Sequence, residues 1–301
     1  MFIVQHRNIF FAITGAIVLV SLVSLFAFGL RPGIDFTGGT LVQFSYEGGR
    51  PPATELTELL GDAGFTGYSL REAGEKGYIL RAGNMSEAQR AALPQTLSGS
   101  GEHPATIEQL SEVGPTIGKE LRNKALIALA LVLLCILLFI AFAFRKVSKP
   151  VSSWMYGLIA LVALLHDVVV PVGFYAALGH FLGAQVDTLF VTAILTILGF
   201  SVHDTIVVFD RVRENLRVNQ ERNRKEDFAE TAGRSLGQTF VRSVNTSLTV
   251  LFTLLVLYFI GPASTRDFAL TLLVGITAGT YSSIFLATPL LVTVERWRRK
   301  K

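Results

Sequence analysis

Hydrophobic and polar positions along this chain come in blocks. Six mainly apolar runs of about 20 residues or more stand out: Ile9–Leu30, Lys124–Phe144, Val151–Leu178, Val186–Phe209, Phe240–Ile260 and Phe268–Val294. Each is long enough for a bilayer core about 30 Å thick. Hydrocarbon offers no hydrogen-bond partner to an open backbone, so all six are predicted to be transmembrane helices. The first follows a short polar start, as an export signal would. It is too long for one and lacks a clear small-residue cleavage site, so it is read as a retained anchor.

Between the first two runs lies a segment with a different period. "GTLVQFSYE" predicts a strand and "PATELTELLGDAG" a helix stopped by glycine. "GYSLREA" and "KGYILRA" alternate on either side of Gly, Glu and Lys, as the arms of a hairpin do. "SEAQRAALPQTL" predicts a second helix, interrupted by Pro94, and "ATIEQLSEV" a last strand. The order βαββαβ is that of a small ferredoxin-like α+β domain.

Composition agrees with a membrane protein: half the residues are hydrophobic and only 17% are charged. The net charge of +4 raises the thought of nucleic acid, but its placement speaks for a membrane instead. His6 and Arg7 precede the first run, "RKVSK" (Arg145–Lys149) joins the second to the third, and "RWRRKK" closes the chain. Asp210–Thr239 carries seven Arg or Lys, whereas the opposite loops "GHFLGAQ" and "GPASTR" share one Arg. The positive-inside rule then puts both termini in the cytoplasm and residues 31–123 outside.

The expected organisation is an N-terminus and first helix at 1–30 and an extracytoplasmic domain at 31–123. A five-helix bundle at 124–294 follows, with a cytoplasmic loop at 210–239, then a basic tail at 295–301. The 210–239 stretch mixes both charge signs and is read as a solvated or interfacial helix near anionic lipid, or a docking site for a cytoplasmic partner. The lone cysteine, Cys135, lies in an apolar run and is expected to be an inert buried residue.

Polar residues inside the runs carry the candidate chemistry. A charge at mid-bilayer costs about 2.5–3.5 kcal/mol even on the mildest scale, so such residues face a bundle interior or a wet path. "GFSVHDTIVVFD" (Gly199–Asp210) puts His203 and Asp204 deep in the fourth run. In the fifth, Arg242, Thr246, Thr249 and Thr253 recur at steps of four, three and four, which places them on one helix face. An Asp204–Arg242 pair would lower the cost of both charges. The guanidinium favours the carboxylate and desolvation favours the acid, opposing effects that suit a proton switch. Ser201, Thr246 and Thr249 are candidates to line the path.

His166–Asp167, followed by Pro171 in the third run, is read first as structural polar packing, with a proton path second. Asp187 is read as a cap. Thr271, Gly275, Gly279 and Ser282 in the sixth run suit close helix approach. A metal site would need three or four converging ligands, and adjacent residues on a helix diverge by about 100°, so no metal or cofactor is expected. The chain has no phosphate loop, no GxSxG elbow and no Cys–His nucleophile arrangement, so it is not read as an enzyme. Any work it does would draw on an ion gradient, worth about 2.3 kcal/mol per charge per 100 mV.

Four segments in register, "GIDFTGGT" (Gly33–Thr40), "EVGPTIGKEL" (Glu112–Leu121), "GFSVHDTIVVFDRVREN" (Gly199–Asn215) and "RSVNTSLTVL" (Arg242–Leu251), resemble the SecD/SecF family, and within it the smaller SecF half. The resemblance covers nearly the whole chain. It implies an α-helical membrane protein with six transmembrane helices of the resistance-nodulation-division (RND) type and one ferredoxin-like domain between helices one and two. It implies SecD as the partner that supplies six more helices and an acidic residue. It also implies a role in drawing unfolded preprotein across the membrane by proton-motive force after SecYEG and SecA have begun, and membership of Asp204 and Arg242 in the proton path.

The family pattern often has asparagine where His203 stands. An imidazole there could hydrogen-bond or carry protons. The residues alone leave two rivals: half of a proton-coupled RND exporter of lipids or small molecules, and a non-transporting assembly scaffold. They also leave proton and sodium coupling undivided, since a carboxylate among hydroxyls holds either ion.

Overall fold

The computed structural model describes residues 2–101, 103–144 and 151–299. The predicted basic connector Arg145–Lys149 and the terminal Lys300 and Lys301 lie outside the described residues. In chain order the elements are α1 (Phe2–Gln5), α2 (Arg7–Phe28), α3 (Ile34–Thr37), β1 (Gly39–Tyr46), α4 (Ala53–Asp62), β2 (Ser69–Ala73), β3 (Gly77–Ala82), α5 (Glu87–Leu97), β4 (Ala105–Val113), α6 (Pro115–Ala143), α7 (Ser153–Leu182), α8 (Thr188–Glu221), α9 (Phe228–Ile260), α10 (Ala263–Ser282) and α11 (Thr288–Arg299). A π-helical turn, Ser283–Ala287, joins the last two.

The chain divides into two compact units, one holding Met1–Leu30, Ala128–Ala184 and Leu189–Lys301, the other Arg31–Ile127 and Gln185–Thr188.

In the second unit the sheet order is β2-β3-β1-β4, with every neighbouring pair antiparallel. That is the split βαβ arrangement the alternating segments predict. Its core is built from Val42, Phe44 and Tyr46 of β1, Leu56 and Leu60 of α4, Leu80 of β3, and Leu93 and Leu97 of α5. Pro94 was expected to interrupt α5, yet the helix runs through it. Proline removes only the bond to the Arg90 carbonyl, and buried Leu93 and Leu97 on either side hold the turn in place. The start of α5 is fixed by a capping box between Ser86 and Gln89.

The "GIDFTGGT" segment becomes α3 and the start of β1. Gly38 and Gly39 adopt φ of +80° and +137°, a region L side chains rarely enter. A Cβ on Gly38 would also lie 2.8 Å from Pro115 Cα, and one on Gly118 2.9 Å from Gly38 N. The first two resemblance-bearing segments are therefore in direct backbone contact. Asp35 Oδ2 accepts the Thr188 N–H at 2.8 Å, which satisfies an orphan donor at the first residue of α8.

Among the described residues, six helical runs are long and apolar enough to cross a membrane: α2, α6, α7, α8, α9 and the continuous stretch from α10 to α11. This is a multi-pass membrane protein. The helices outlast their apolar runs. The stretch 210–239, read as a helix, is helical over most of its length, but as two helices: α8 continues to Glu221 and α9 begins at Phe228, leaving a short link. Hydropathy falls at Asp210, but the backbone stays helical because the two extensions bind each other. Asn215 donates to Ser235 Oγ at 2.8 Å and to Gln238 Oε1 at 2.9 Å. Asn219 donates to Glu226 at 2.6 Å, and Arg234 pairs with Glu226 at 2.5 Å. Cys135 is a correction: it is exposed, because α6 is among the least buried of the spans and turns its apolar surface outward.

Inside the first unit, Val4, Phe144, Val151, Tyr156, Phe209, Phe228 and Leu291 share one core cluster, which gathers both chain ends and the α6–α7 and α8–α9 junctions. Toward the middle, small residues let helices touch. A Cβ on Gly275 would lie 2.1 Å from Ile197 Cδ1, and one on Gly279 2.9 Å from Ser201 Cβ, so α10 lies directly on α8.

Candidate functional site

Among the described residues the bundle buries three carboxyl groups: Asp204 on α8 at 2% exposure, Asp167 on α7 at 0%, and Glu295 on α11 at 5%, which pairs with Arg299 at 3.6 Å. Asp204 is 16 residues from the start of α8, about 24 Å along its axis, so it sits near mid-helix. Ser243 and Ser247 of α9 lie beside its carboxyl, with the Ser247 hydroxyl donating to the Ser243 carbonyl at 2.9 Å. Ser247 Oγ also meets Thr280 Oγ1 of α10 at 2.6 Å. The hydroxyls thus run from α8 across α9 to α10. Asp204 Oδ2, Thr205 Oγ1 and Ser243 Oγ are nonetheless buried without a hydrogen-bond partner. Orphaned oxygens of this kind mark a place that a proton, a water or an ion can fill.

Asp167 differs. Its Oδ1 is 2.8 Å from His166 Nδ1, and its Oδ2 accepts hydrogen bonds from Ser201 of α8 and from Ser282 of α10, the latter at 2.8 Å. One carboxyl group therefore ties three helices.

The predicted site residues separate into groups. Asp204 is buried, as a path residue would have to be. Ser201 is buried one turn earlier on the same helix, but its hydroxyl serves Asp167. His203 and Arg242 are exposed on the surface of the unit, and Arg242 forms no ion pair among the described residues. The predicted Asp204–Arg242 contact is thus absent from this arrangement. Thr246 and Thr249 lie on Arg242's side of α9, and their hydroxyls return to carbonyls of their own helix, Arg242 O at 2.9 Å and Thr246 O at 2.7 Å. The face of α9 that reaches Asp204 is one residue further round, Ser243 and Ser247.

Sequence reasoning passed over those two serines and Thr280, and gave Ser282 only a packing role. The i, i+4 spacing of Ser243 and Ser247 was the available signal. It was masked by the adjacent Arg–Thr stripe, which has the same period.

Such a fold and site define a class: a multi-pass membrane protein whose helices hold ionisable side chains away from lipid, with a βαββαβ unit between its first two spans. Comparison with known proteins narrows this. The family model for the C-terminal part of the protein export membrane proteins SecD/SecF matches residues 94–297, and that for the SecD/SecF GG motif matches residues 23–49.

The protein translocase subunit SecF of Thermobaculum terrenum is 45% identical, over 97% of this chain and 93% of the relative. That of Anaerolinea thermophila is 39% identical over 98% and 95%. A crystal structure of SecDF, a translocon-associated membrane protein from a Thermus species, superposes with a TM-score of 0.83 at 34% identity. It covers 98% of this chain, which spans only 38% of that longer one. A SecDF structure in a super-membrane-facing form gives a TM-score of 0.65 at 35% identity, over 96% of this chain and 38% of that one. The chain belongs to the SecD/SecF family.

Proposed function

We propose that this chain is the SecF-type auxiliary subunit of the Sec protein-export machinery, working with SecD and using proton-motive force to promote preprotein translocation across the cytoplasmic membrane. Both termini lie in the cytoplasm and residues 31–123 outside. Asp204 is the protonatable carboxyl group, and Arg242 is its movable counter-charge. His203 flanks the path, and Ser243 and Ser247 join the hydroxyls that line it.

One observation carries the proposal: Asp204 is buried in the middle of a membrane helix with an oxygen left unpartnered. Such an arrangement is costly unless the group is used. The exposed Arg242–Thr246–Thr249 face and His203 support the rest. Arginine facing lipid at that depth is unfavourable, so the face needs a polar cover. SecD fits that need, since the superposable SecDF chain is more than twice as long as this one. SecD then brings the missing acidic residue, and Arg242 alternates between it and Asp204. SecYEG and SecA act upstream, the unfolded preprotein is the load, and lipid surrounds the bundle.

The test is gradient-driven export of a preprotein into membrane vesicles containing SecD with the wild-type chain or Asp204→Asn. The variant should assemble with SecD and lose the gradient-dependent part of export. Export that still responds fully to the gradient would remove Asp204 from the mechanism.

A further inference from the structure

The mechanism above leaves Asp167 unused. Its only ion-pair partner among the described residues is the adjacent His166, which is 5% exposed. His166 Nε2 is buried with no hydrogen-bond partner. The other titratable groups nearby are Tyr281 of α10, whose ring lies 6.1 Å from that of His166, and Asp204, one turn beyond Ser201 on α8. From α2 the neighbour is the neutral Thr14 hydroxyl, 3.3 Å from the Tyr281 hydroxyl.

Two features let this knot change state. First, Ser282 Oγ lies 2.8 Å from Asp167 Oδ2 and 3.1 Å from the Gly279 carbonyl. A hydroxyl has a single proton, so it satisfies one acceptor at a time. Second, both helices are irregular at this level. Pro171 has no N–H for the Asp167 carbonyl four residues earlier. The π-helical turn Ser283–Ala287 begins directly after Ser282, and such turns cluster at functional sites.

We propose that the His166–Asp167 pair is a second proton-holding station of the bundle, with Ser282 as its reversible hydrogen-bond partner. An incoming proton forms an O–H bond on Asp167 Oδ2. The Ser282 proton then turns from Oδ2 to the Gly279 carbonyl, and the new acid O–H donates to Ser282 Oγ. Release reverses each move, so one proton enters and one leaves. Protonation also removes the formal charge that the carboxylate holds inside an apolar bundle. The open Nε2 of His166 is the face through which the pair meets a further proton donor or water. This station rests on the ion-coupled reading of the bundle, but it uses different atoms and can be tested apart from it.

The test is infrared difference spectroscopy of the complex with SecD in lipid bilayers, titrated with pH, following the carbonyl-stretch bands of protonated carboxylic acids. Asp167→Asn should remove one titrating band and Asp204→Asn another. Ser282→Ala should shift the Asp167 band without removing it. His166→Gln should change the pH at which that band appears and leave the Asp204 band in place.

If Asp167→Asn fails to assemble, the Ser282 and His166 variants carry the test alone. Bands unmoved by every one of the Asp167, Ser282 and His166 variants would overturn the proposal, and would make the cluster a purely structural tie. Loss of the Asp167 band together with no change in Asp204→Asn would leave this station standing and sink the role given to Asp204.

Discussion

Asp167 and Asp204 sit on neighbouring helices of one bundle, and their carboxyl groups are held in opposite ways. Asp167 has both oxygens engaged, by His166, Ser201 and Ser282, and so ties α7, α8 and α10 together. Asp204 keeps one oxygen unpartnered beside a serine that is itself unpartnered. A buried polar group that is fully satisfied contributes to packing and specificity, whereas one left open costs stability and is retained for what it does. The contrast predicts that losing Asp167 costs the fold as well as its proton, whereas losing Asp204 costs the activity with little effect on the fold.

The sharpest way to break that contrast is to delete each carboxyl group in turn. Asp167→Leu strands three donors inside the bundle, two of them on other helices, and should lower unfolding stability in bicelles by about 3 kcal/mol, taking about 1 kcal/mol per stranded donor. Asp204→Leu should cost less than about 1 kcal/mol in the same assay, since it removes an orphan as well as its weak partners. Equal losses would abolish the distinction.

Next in size is Gly279→Val, which pushes into Ser201, whose Cβ would lie 2.9 Å from the new Cβ. Overpacking of this kind costs about 2 kcal/mol, and here it should also part Ser201 from Asp167. Its mark would be a shifted Asp167 infrared band with the Asp204 band unmoved. Ser86→Ala is a control in the other unit. It removes the capping box of α5 and should cost about 1 kcal/mol, read by hydrogen exchange in that helix, with both carboxyl bands unchanged.

The smallest effect belongs to the α8–α9 link. There the Arg234 hydrogen bond, aided by Asn219 and Thr231, holds the Glu226 carboxyl below its ordinary range against its partial burial. A group lower in the folded than in the unfolded state stabilises fully above the unfolded carboxylate range. That contribution is lost as pH falls through the lowered folded value. Glu226→Gln should therefore cost about 0.5 kcal/mol at neutral pH and nothing at the acid end, followed by amide exchange at the start of α9.

Much of the fold was legible because its signals are local. Twenty apolar residues in a row, or strict alternation as in β1, need no knowledge of the rest of the chain. Asp204 was legible for the same reason, as a charge inside such a run. The inner face of α9 was not. Arg242–Thr246–Thr249 and Ser243–Ser247 have the same helical period and differ by one residue of rotation, and charge drew attention to the stripe the structure leaves exposed. Ser201 is read from sequence only as a path-lining candidate, and its hydrogen-bond partner, Asp167 of α7, lies 34 residues away in the chain. The ends of α8 and α9 were missed because hydropathy stops where the apolar core stops, whereas the helices are extended by Asn215 and Asn219, whose bonding depends on a partner helix.

The central claim is that Asp204 carries protons. Its most direct test is proton entry into liposomes containing the purified complex with SecD, followed by an internal pH dye under an imposed gradient. Wild-type complex should admit protons, and Asp204→Asn should fall to the rate of protein-free liposomes while the complex stays intact. Proton entry at the wild-type rate in Asp204→Asn would contradict the account.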